Sequence, residues 1–261
     1  KYYLMTHNVL TFLYHEVTDK PNTTGFIRES SLPYKHGINE FKANLEAIQQ
    51  SNLPVVSFDS PSEQDINLIT FDDGGISNLK AAGLLEQFNY KAIFFIVTDY
   101  IGKPGFLNNE DIKALKAKGH LIGSHSKSHP NVFNAISYDE LLLEWRESKN
   151  VLENIINEPV EICSIPGGFD SPEVYKAASE CGYKTIFNSE PTNIVKHKYG
   201  LRIYGRVCPK TGTSINKIHQ LANHNGIFQE LLMRKTKKNI KRLISPFYNR
   251  ILQSRSHEEK K

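Results

Sequence analysis

Two carboxylates sit side by side in Asp72-Asp73-Gly74-Gly75, directly after Asn67–Phe71, an apolar run that reads as a strand. Strand C-termini are where reacting groups converge in β/α barrels. Neighbouring strand-end residues point in different directions, so one Asp can hold a metal while the other faces a substrate or its water. Taken alone, the segment reads equally as an Asp-Gly turn with a helix cap. A second segment, His125-Ser126-Lys127-Ser128-His129-Pro130, follows the strand Leu121–Ser124, the next strand but one, so its end lies on the same rim. Histidines at i and i+4 on one helical turn share a face, as a divalent ion requires. Two imidazoles and a carboxylate leave coordination positions open for water and suit Zn, Fe, Mn or Co. The third segment, Ser164-Ile165-Pro166-Gly167-Gly168-Phe169-Asp170, again ends a strand. Its glycines let the backbone approach a ligand and offer N–H groups to a developing oxyanion, although Pro-Gly-Gly is also a common loop. The coincidence of the first two segments favours a metal site over either alternative taken singly.

These groups need a frame, and the chain alternates short β runs with amphipathic stretches from Val9 onward. Strands are expected at Val9–Tyr14, Val55–Phe58, Asn67–Phe71, Ala92–Val97, Leu121–Ser124, Glu161–Ser164, Thr185–Asn188 and Leu201–Val207. Helices read from i, i+3, i+4 apolar spacing fall at Ile38–Gln50, Ile76–Gln87, Asn109–Lys118, Tyr138–Ile156, Pro172–Cys181 and Ser214–Ala222. Asn109 and Ser171 are read as N-caps, and Gly119 and Gly182 sit where helices should stop. This order predicts an α/β fold, a distorted (β/α) barrel of about seven to eight mostly parallel strands. Residues 18–36 and 189–200 are read as loops that shape specificity.

The length of 261 residues and the 39% hydrophobic content suffice for a large buried core, and no apolar run is long enough to span a membrane. The longest candidate, Ala92 to Val97, is a buried strand. Cys163, Cys181 and Cys208 are too few for a disulfide framework, which leans towards a reducing compartment. The N-terminal residues lack a signal-peptide pattern. Together these favour a cytoplasmic protein, with the C-terminal tail offering peripheral contact with the inner membrane. The net charge of +4 is unevenly placed: residues from Glu230 onward carry ten Lys/Arg against three Glu, and residues 1–229 are net negative. Ile227, Leu231, Ile240, Leu243, Ile244 and Phe247 recur there at helical spacing beside Arg234, Lys235, Lys237, Lys238, Lys241 and Arg242, with Pro246 set to break or kink the helix. Such a helix could lie on an anionic membrane or hold an acidic polymer; the competing reading docks its apolar stripe on the body. Nucleic acid is disfavoured, because no aromatic residues alternate with the basic ones and the body is acidic. Two parts are expected: a barrel domain over 1–225 and a basic helical extension over 226–261.

In chain order, Thr70-Phe71-Asp72-Asp73-Gly74, His125-Ser126-Lys127-Ser128-His129-Pro130 and Pro166-Gly167-Gly168 resemble the motifs of the polysaccharide deacetylase family, also called the NodB-homology or carbohydrate esterase family 4 domain. The resemblance covers about residues 9–210, including Phe12-Leu13-Tyr14-His15, which looks like the tyrosine-histidine strand of one branch. It implies removal of acetyl groups from N-acetylated sugars, with Asp72 as general base and Asp73, His125 and His129 holding one divalent transition metal, zinc first and Co, Ni, Mn or Fe as other occupants. Gly167 is the positional match for the oxyanion N–H. An amide carbonyl is a poor electrophile, so an ion that polarises it and acidifies a water suits the reaction.

The chain also departs from the family pattern. Many members have Arg where Ser164 stands and an aromatic residue where Gly167 stands. That Arg normally orients the base; Arg202 or Arg206 could supply a guanidinium instead, the alternative being a sheet-edge or surface role. The Asp-Trp motif has no match, since Trp145 lies on a predicted helix. For the general acid, Ile218-His219 is the nearest match to a late Leu-His motif, and His15 is the alternative, with a structural histidine as the competing reading of each. The expected function is metal-dependent hydrolysis of an N-acetyl group on a sugar within an oligosaccharide or polysaccharide. The rivals are a catalytically degenerate carbohydrate-binding protein of the same fold and a metal-dependent O-acetyl esterase.

Overall fold

Strand β1 (Val9–Tyr14) is followed by two short strands, β2 (Glu16–Val17) and β3 (Lys35–His36), which pair with each other in parallel. The computed structural model describes residues 7–60 and 62–236. The remaining elements are α1 (Ile38–Gln49), β4 (Ile66–Phe71), α2 (Asn78–Gln87), β5 (Ile93–Ile96), α3 (Asn109–Ala117), β6 (Leu121–Ser124), α4 (Tyr138–Ile156), β7 (Ile162–Ser164), α5 (Pro172–Glu180), β8 (Thr185–Phe187), β9 (Lys196–Lys198), β10 (Leu201–Tyr204) and α6 (Ile215–Ala222).

The sheet runs β1-β4-β5-β6-β7-β8-β10-β9, parallel throughout except for the β9/β10 pair. Beyond β10 the chain returns to the first strand. Leu13 N–H donates to the Val207 carbonyl at 2.8 Å and Val207 N–H to the Thr11 carbonyl at 2.9 Å, closing the curl into a distorted barrel. Side chains alternate across the wall, as period-2 geometry requires. Val9, Ile66, Leu68, Ile93, Phe95, Phe187 and Tyr204 form one apolar cluster. Their neighbours Leu10, Phe12, Ile69, Phe71, Phe94 and Ile96 belong to a second, packed with residues of the surrounding helices. Thr70 and then Asp72 continue the phase of Ile66 and Leu68, and Asp72 N–H still donates to the Tyr14 carbonyl at 3.0 Å. The ladder thus aims Asp72 at the barrel's open end.

Several local expectations need correction. Val55–Phe58 is not a strand: Val55 makes a single bridge to Asn67, beside the part of β4 that β5 does not reach. The eighth strand is instead β9, inside a stretch read as loop, because Tyr199 and Gly200, both at positive φ, turn the chain back antiparallel. The loop 18–36 likewise contains β2 and β3. The N-cap of α3 is Asn108, which forms a reciprocal capping box with Asp111, and not Asn109. Ser171 caps α5 as expected.

Of the basic C-terminal stretch, residues 227–236 are helical, with Ile227 packed against the main core and Phe228, Leu232 and Met233 exposed. Ile240, Leu243, Ile244, Phe247 and Pro246 lie outside the described residues. Among the described residues, no helix is long and apolar enough to cross a membrane.

Candidate active site and metal centre

Asp72 is 2% exposed, and burying a carboxylate is costly unless it is paired. Its partner is Arg206, itself 1% exposed, whose guanidinium donates to both oxygens: Nη1 to Oδ1 at 2.7 Å and Nη2 to Oδ2 at 2.8 Å. The fork is fixed from behind by Nε donating to the Asn188 carbonyl at 2.9 Å. Burial pushes the Asp72 carboxyl up, but Arg206 outweighs it and holds the group well below the usual carboxylate range. Arg206 therefore does what Ser164 cannot, and the missing motif arginine has been supplied from the strand-end segment after β10. Gly205 makes this possible, since a Cβ there would overlap the Glu190 carbonyl oxygen. Arg202 stays away, its guanidinium 5.6 Å from the Phe58 ring centre.

Ser164 has a different use. The Nδ1 of His125 lies 3.1 Å from the Ser164 carbonyl oxygen and 2.6 Å from its hydroxyl. A carbonyl only accepts, so Nδ1 carries the proton and Nε2 presents its lone pair to the site. The Ser164 hydroxyl donates onward to Asp72 Oδ1 at 3.2 Å. One serine thus couples the buried acid to a histidine.

Asp73, His125 and His129 converge, each offering one atom, with all three atoms within 4.8 Å of one another. Asp73 Oδ1 is 3.5 Å from His125 Nε2 and 3.7 Å from His129 Nε2. Ligands held about 2.1 Å from a tetrahedral ion are about 3.4 Å apart, so the spacing fits a divalent cation better than direct hydrogen bonds. The electrostatics agree. Burial lowers His125 to about 3, and burial with the nearby Arg28 lowers His129 to about 4, so both imidazoles are neutral and able to ligate. Burial raises the Asp73 carboxyl to about 6, the adjacent Asp72 charge adding to the rise. A cation is the group that would relieve this cost.

The histidine segment is not the helical turn expected from its spacing. Ser126 (φ 65°) and His129 (φ 56°) are left-handed, as is Asp73 (φ 76°). Non-glycine residues in this region are strained, and surrounding bonds must hold them. Glu144, on the inner face of α4, accepts from the Lys127 and Ser128 N–H groups at 2.9 and 2.8 Å and from the Ser128 hydroxyl at 2.6 Å. Ser126 N–H donates to Ser124 Oγ, which meets Ser148 Oγ of α4 at 2.7 Å. Sequence reading missed Glu144 and Ser148, yet both share the stripe Leu141, Glu144, Trp145, Ser148, Leu152 that α4 buries. A carboxylate at an apolar-stripe position was the available signal.

The site opens into a cleft of about 720 Å³ lined among others by His15, Asp72, Asp73, His125, His129 and Gly167. Every site residue of the motifs is therefore brought together. Gly167 (φ 59°) is exposed at the mouth, and its N–H has no partner among the described residues. His15 faces the Tyr34 ring at 5.0 Å, with its Nδ1 unpartnered. His219 is not in the site: it lies on α6, with Nε2 3.3 Å from the Gln50 carbonyl oxygen. Cys163 is buried, and all three cysteines are free.

The sequence profile described as polysaccharide deacetylase matches residues 59–186, a span holding Asp72, Asp73, His125, His129 and Gly167 but neither His15 nor Arg206. The chain is 31% identical over 144 residues to a putative polysaccharide deacetylase of Bacillus subtilis, covering 55% of this chain and 51% of that protein. It is 30% identical over 133 residues to a peptidoglycan-N-acetylglucosamine deacetylase of Bacillus cereus, covering 50% of this chain and 60% of that one. The matches thus span little more than half the length of these relatives. Among solved structures, a polysaccharide deacetylase from Bacillus cereus superposes with a TM-score of 0.69 at 19% identity, covering 82% of this chain and 69% of that one. IcaB from Ammonifex degensii gives 0.68 at 18% identity, with 83% and 97% covered, so the fold is shared beyond the matched segment. With its Asp-Asp pair, histidine pair and third loop inside the matched segment and assembled on one rim, the chain matches the polysaccharide deacetylase family over residues 59–186, just under half of its length.

Proposed function

We propose that this protein is a metal-dependent deacetylase that hydrolyses the N-acetyl group of a sugar in an oligosaccharide or polysaccharide. The observation that carries this reading is the convergence of Asp73, His125 and His129 beside an ionised, arginine-clamped Asp72 in one open cleft. The relative named a peptidoglycan-N-acetylglucosamine deacetylase supports the same substrate class. A divalent ion held by the three residues, zinc being the first candidate for this donor set, would supply Lewis acidity for the amide carbonyl and lower the pKa of a water.

The chain's own residues supply the rest. Asp72 is the proton acceptor: Arg206 occupies its outer face bidentately and Ser164 fixes Oδ1, so its free lone pairs face the cleft. Held ionised by Arg206, it is in the form that can accept a proton, and a water acidified by the ion would ask less basicity of it. The Gly167 N–H, without a partner among the described residues and lining the cleft, would receive the carbonyl oxygen as it gains charge. His15, lining the same cleft and backed by Tyr34, is the group that would protonate the departing amine.

The test is acetate release from N-acetylglucosamine oligomers, run beside elemental analysis of the purified protein and of Asp73→Asn and His125→Ala. The reading predicts about one transition metal per chain and acetate release, both lost in the variants. Metal retention and full activity in Asp73→Asn would overturn the ligand assignment. O-acetylated oligomers tested alongside separate amide from ester hydrolysis.

A further inference from the structure

Outside the reacting groups, Arg28, Lys210 and Arg234 line the cleft, while a further lining lysine, Lys35, is spent on the Pro21 and Thr24 carbonyls. Arg28 stacks on Phe26, its guanidinium carbon 4.6 Å above the ring centre, and that ring lies 5.1 Å from the imidazole of the metal-site residue His129. Lys210 lies 5.2 Å from the centre of the Tyr34 ring, which in turn faces His15. Arg234, from the helical stretch 227–236, reaches across the third loop, its Nη2 within 3.3 Å of where a Cβ on Gly168 would lie. Each cation is therefore one residue away from a group with a chemical role, and all three line the same cleft.

None of the three makes an ion pair among the described residues. Apart from Asp73, which faces the two histidines and feels the charge of Arg28, the cleft's carboxylates are already engaged. Asp72 is held by Arg206, Glu230 by Lys217, Asp170 by the Tyr175 hydroxyl, and Glu16 by the hydroxyls of Thr24 and Ser77. Nor is this a body with cations everywhere, since residues 1–229 are net negative. Unpaired cations ringing a concave site on an acidic surface focus a positive potential at its mouth and recruit anionic ligands. Two of them are guanidiniums, whose planar forks match carboxylate and phosphate groups.

We propose that the sugar chain bound here is acidic, carrying a carboxylate or a phosphate on the N-acetylated unit or on the unit next to it, and that Arg28, Lys210 and Arg234 read that charge. The placement supports this spacing, because Arg28 and Lys210 are each separated from a site histidine by about the width of one ring, which is also that of a pyranose, and Arg234 lies beside the third loop. This inference rests on the deacetylase reading for the identity of the site, and its test does not depend on turnover.

The affinity of the full chain for fluorescently labelled oligosaccharides would be measured by anisotropy, at low and high salt. The probes are a neutral N-acetylglucosamine oligomer, an alternating N-acetylglucosamine–glucuronate oligomer, and a phosphodiester-linked N-acetylglucosamine oligomer. At low salt an acidic probe should bind about tenfold tighter than the neutral one, with the advantage fading as salt rises. The tighter acidic probe identifies the anion. Arg28→Gln/Lys210→Gln/Arg234→Gln should erase the acidic-to-neutral ratio, whereas Lys80→Gln/Lys113→Gln/Lys176→Gln, which removes the same charge from exposed helix faces, should preserve it. Equal affinity for all three probes overturns the proposal, as does equal loss of the ratio in both triple variants. Acetate release in the same samples reports separately on the deacetylase reading: turnover without charge preference sinks only this inference, and charge preference without turnover sinks only the activity.

Discussion

Replacing Arg206 with Met, similar in length but without donors, tests how the base is held. Two charge-assisted bonds at 2.7 and 2.8 Å are lost, and Asp72 is left as an uncompensated charge at 2% exposure. Removing one partner of a buried ion pair costs about 3–5 kcal/mol. The Asn188 carbonyl also loses its donor, adding about 1 kcal/mol or more. Against a typical total stability of about 5–15 kcal/mol, the expected loss is a large fraction, equivalent to a fall of about 10 °C in Tm for a chain of this size. Asp72 would relieve its isolation by taking up a proton, so any activity that survives should show its acid limb displaced to higher pH. Arg206→Lys should fall between, since an ammonium restores charge but not the fork. Adding Asp72→Asn to Arg206→Met removes the stranded charge and should recover most of the stability but none of the activity. Urea unfolding of wild type, Arg206→Met, Asp72→Asn and the double variant gives the cycle, and acetate release against pH gives the limb. A loss below about 1 kcal/mol in Arg206→Met, with the limb unmoved, would refute the assignment of Arg206 as the anchor of the base.

Restoring the family arginine with Ser164→Arg should destabilise by about 3 kcal/mol or more, because a second guanidinium enters a space already satisfied by Arg206; combining it with Arg206→Met should be milder by urea midpoint than either change alone. Glu144→Ala frees the Lys127 and Ser128 N–H groups that hold the histidine loop, and should weaken zinc binding about 10–100-fold in chelator competition; unchanged affinity would mean the loop holds its own shape. His120 is fully buried, and burial lowers it from 6.5 to about 4, so the unfolded chain binds the extra proton between those values. Its contribution to stability is complete above 6.5 and is lost as pH falls towards about 4. His120→Gln should flatten that part of the urea midpoint profile. Glu16 runs the other way: burial raises its carboxyl to about 7 from 4.5, so its protonated form favours folding and the contribution fades as pH rises through that window. Glu16→Gln should therefore raise stability above pH 7 relative to wild type, and a fall there would contradict the assigned protonation state.

The sheet was largely legible because most of its strands are β-branched and aromatic runs separated by helical stretches, and strand ends in a parallel barrel share one rim. Asp72, Asp73, His125, His129 and Gly167 were readable as a set for that reason. What was hidden depends on three-dimensional return paths. Arg206 is 134 residues from Asp72, and nothing local distinguishes it from Arg202, whose side chain meets Phe58 instead. The i, i+4 histidines converge with Asp73, but not through a helical turn, because Ser126 and His129 adopt left-handed backbone angles held by Glu144 and by the Ser124 and Ser148 hydroxyls. Val55–Phe58 has the composition of a strand, but its pairing with β4 stops at a single bridge between Val55 and Asn67. Propensity describes what a segment can do, and neighbours decide whether it does.

The seam between Leu13 and Val207 has a consequence for biosynthesis. His15 lies two residues beyond one side of it and Arg206 one residue before the other, so the working centre is completed only when the end of the barrel docks on its beginning. A chain leaving the ribosome would carry Asp72, Asp73 and both histidines long before the arginine that keeps Asp72 ionised is made. A product ending before Val207 would lack the seam bonds, and one ending before Arg206 would leave Asp72 without its guanidinium partner.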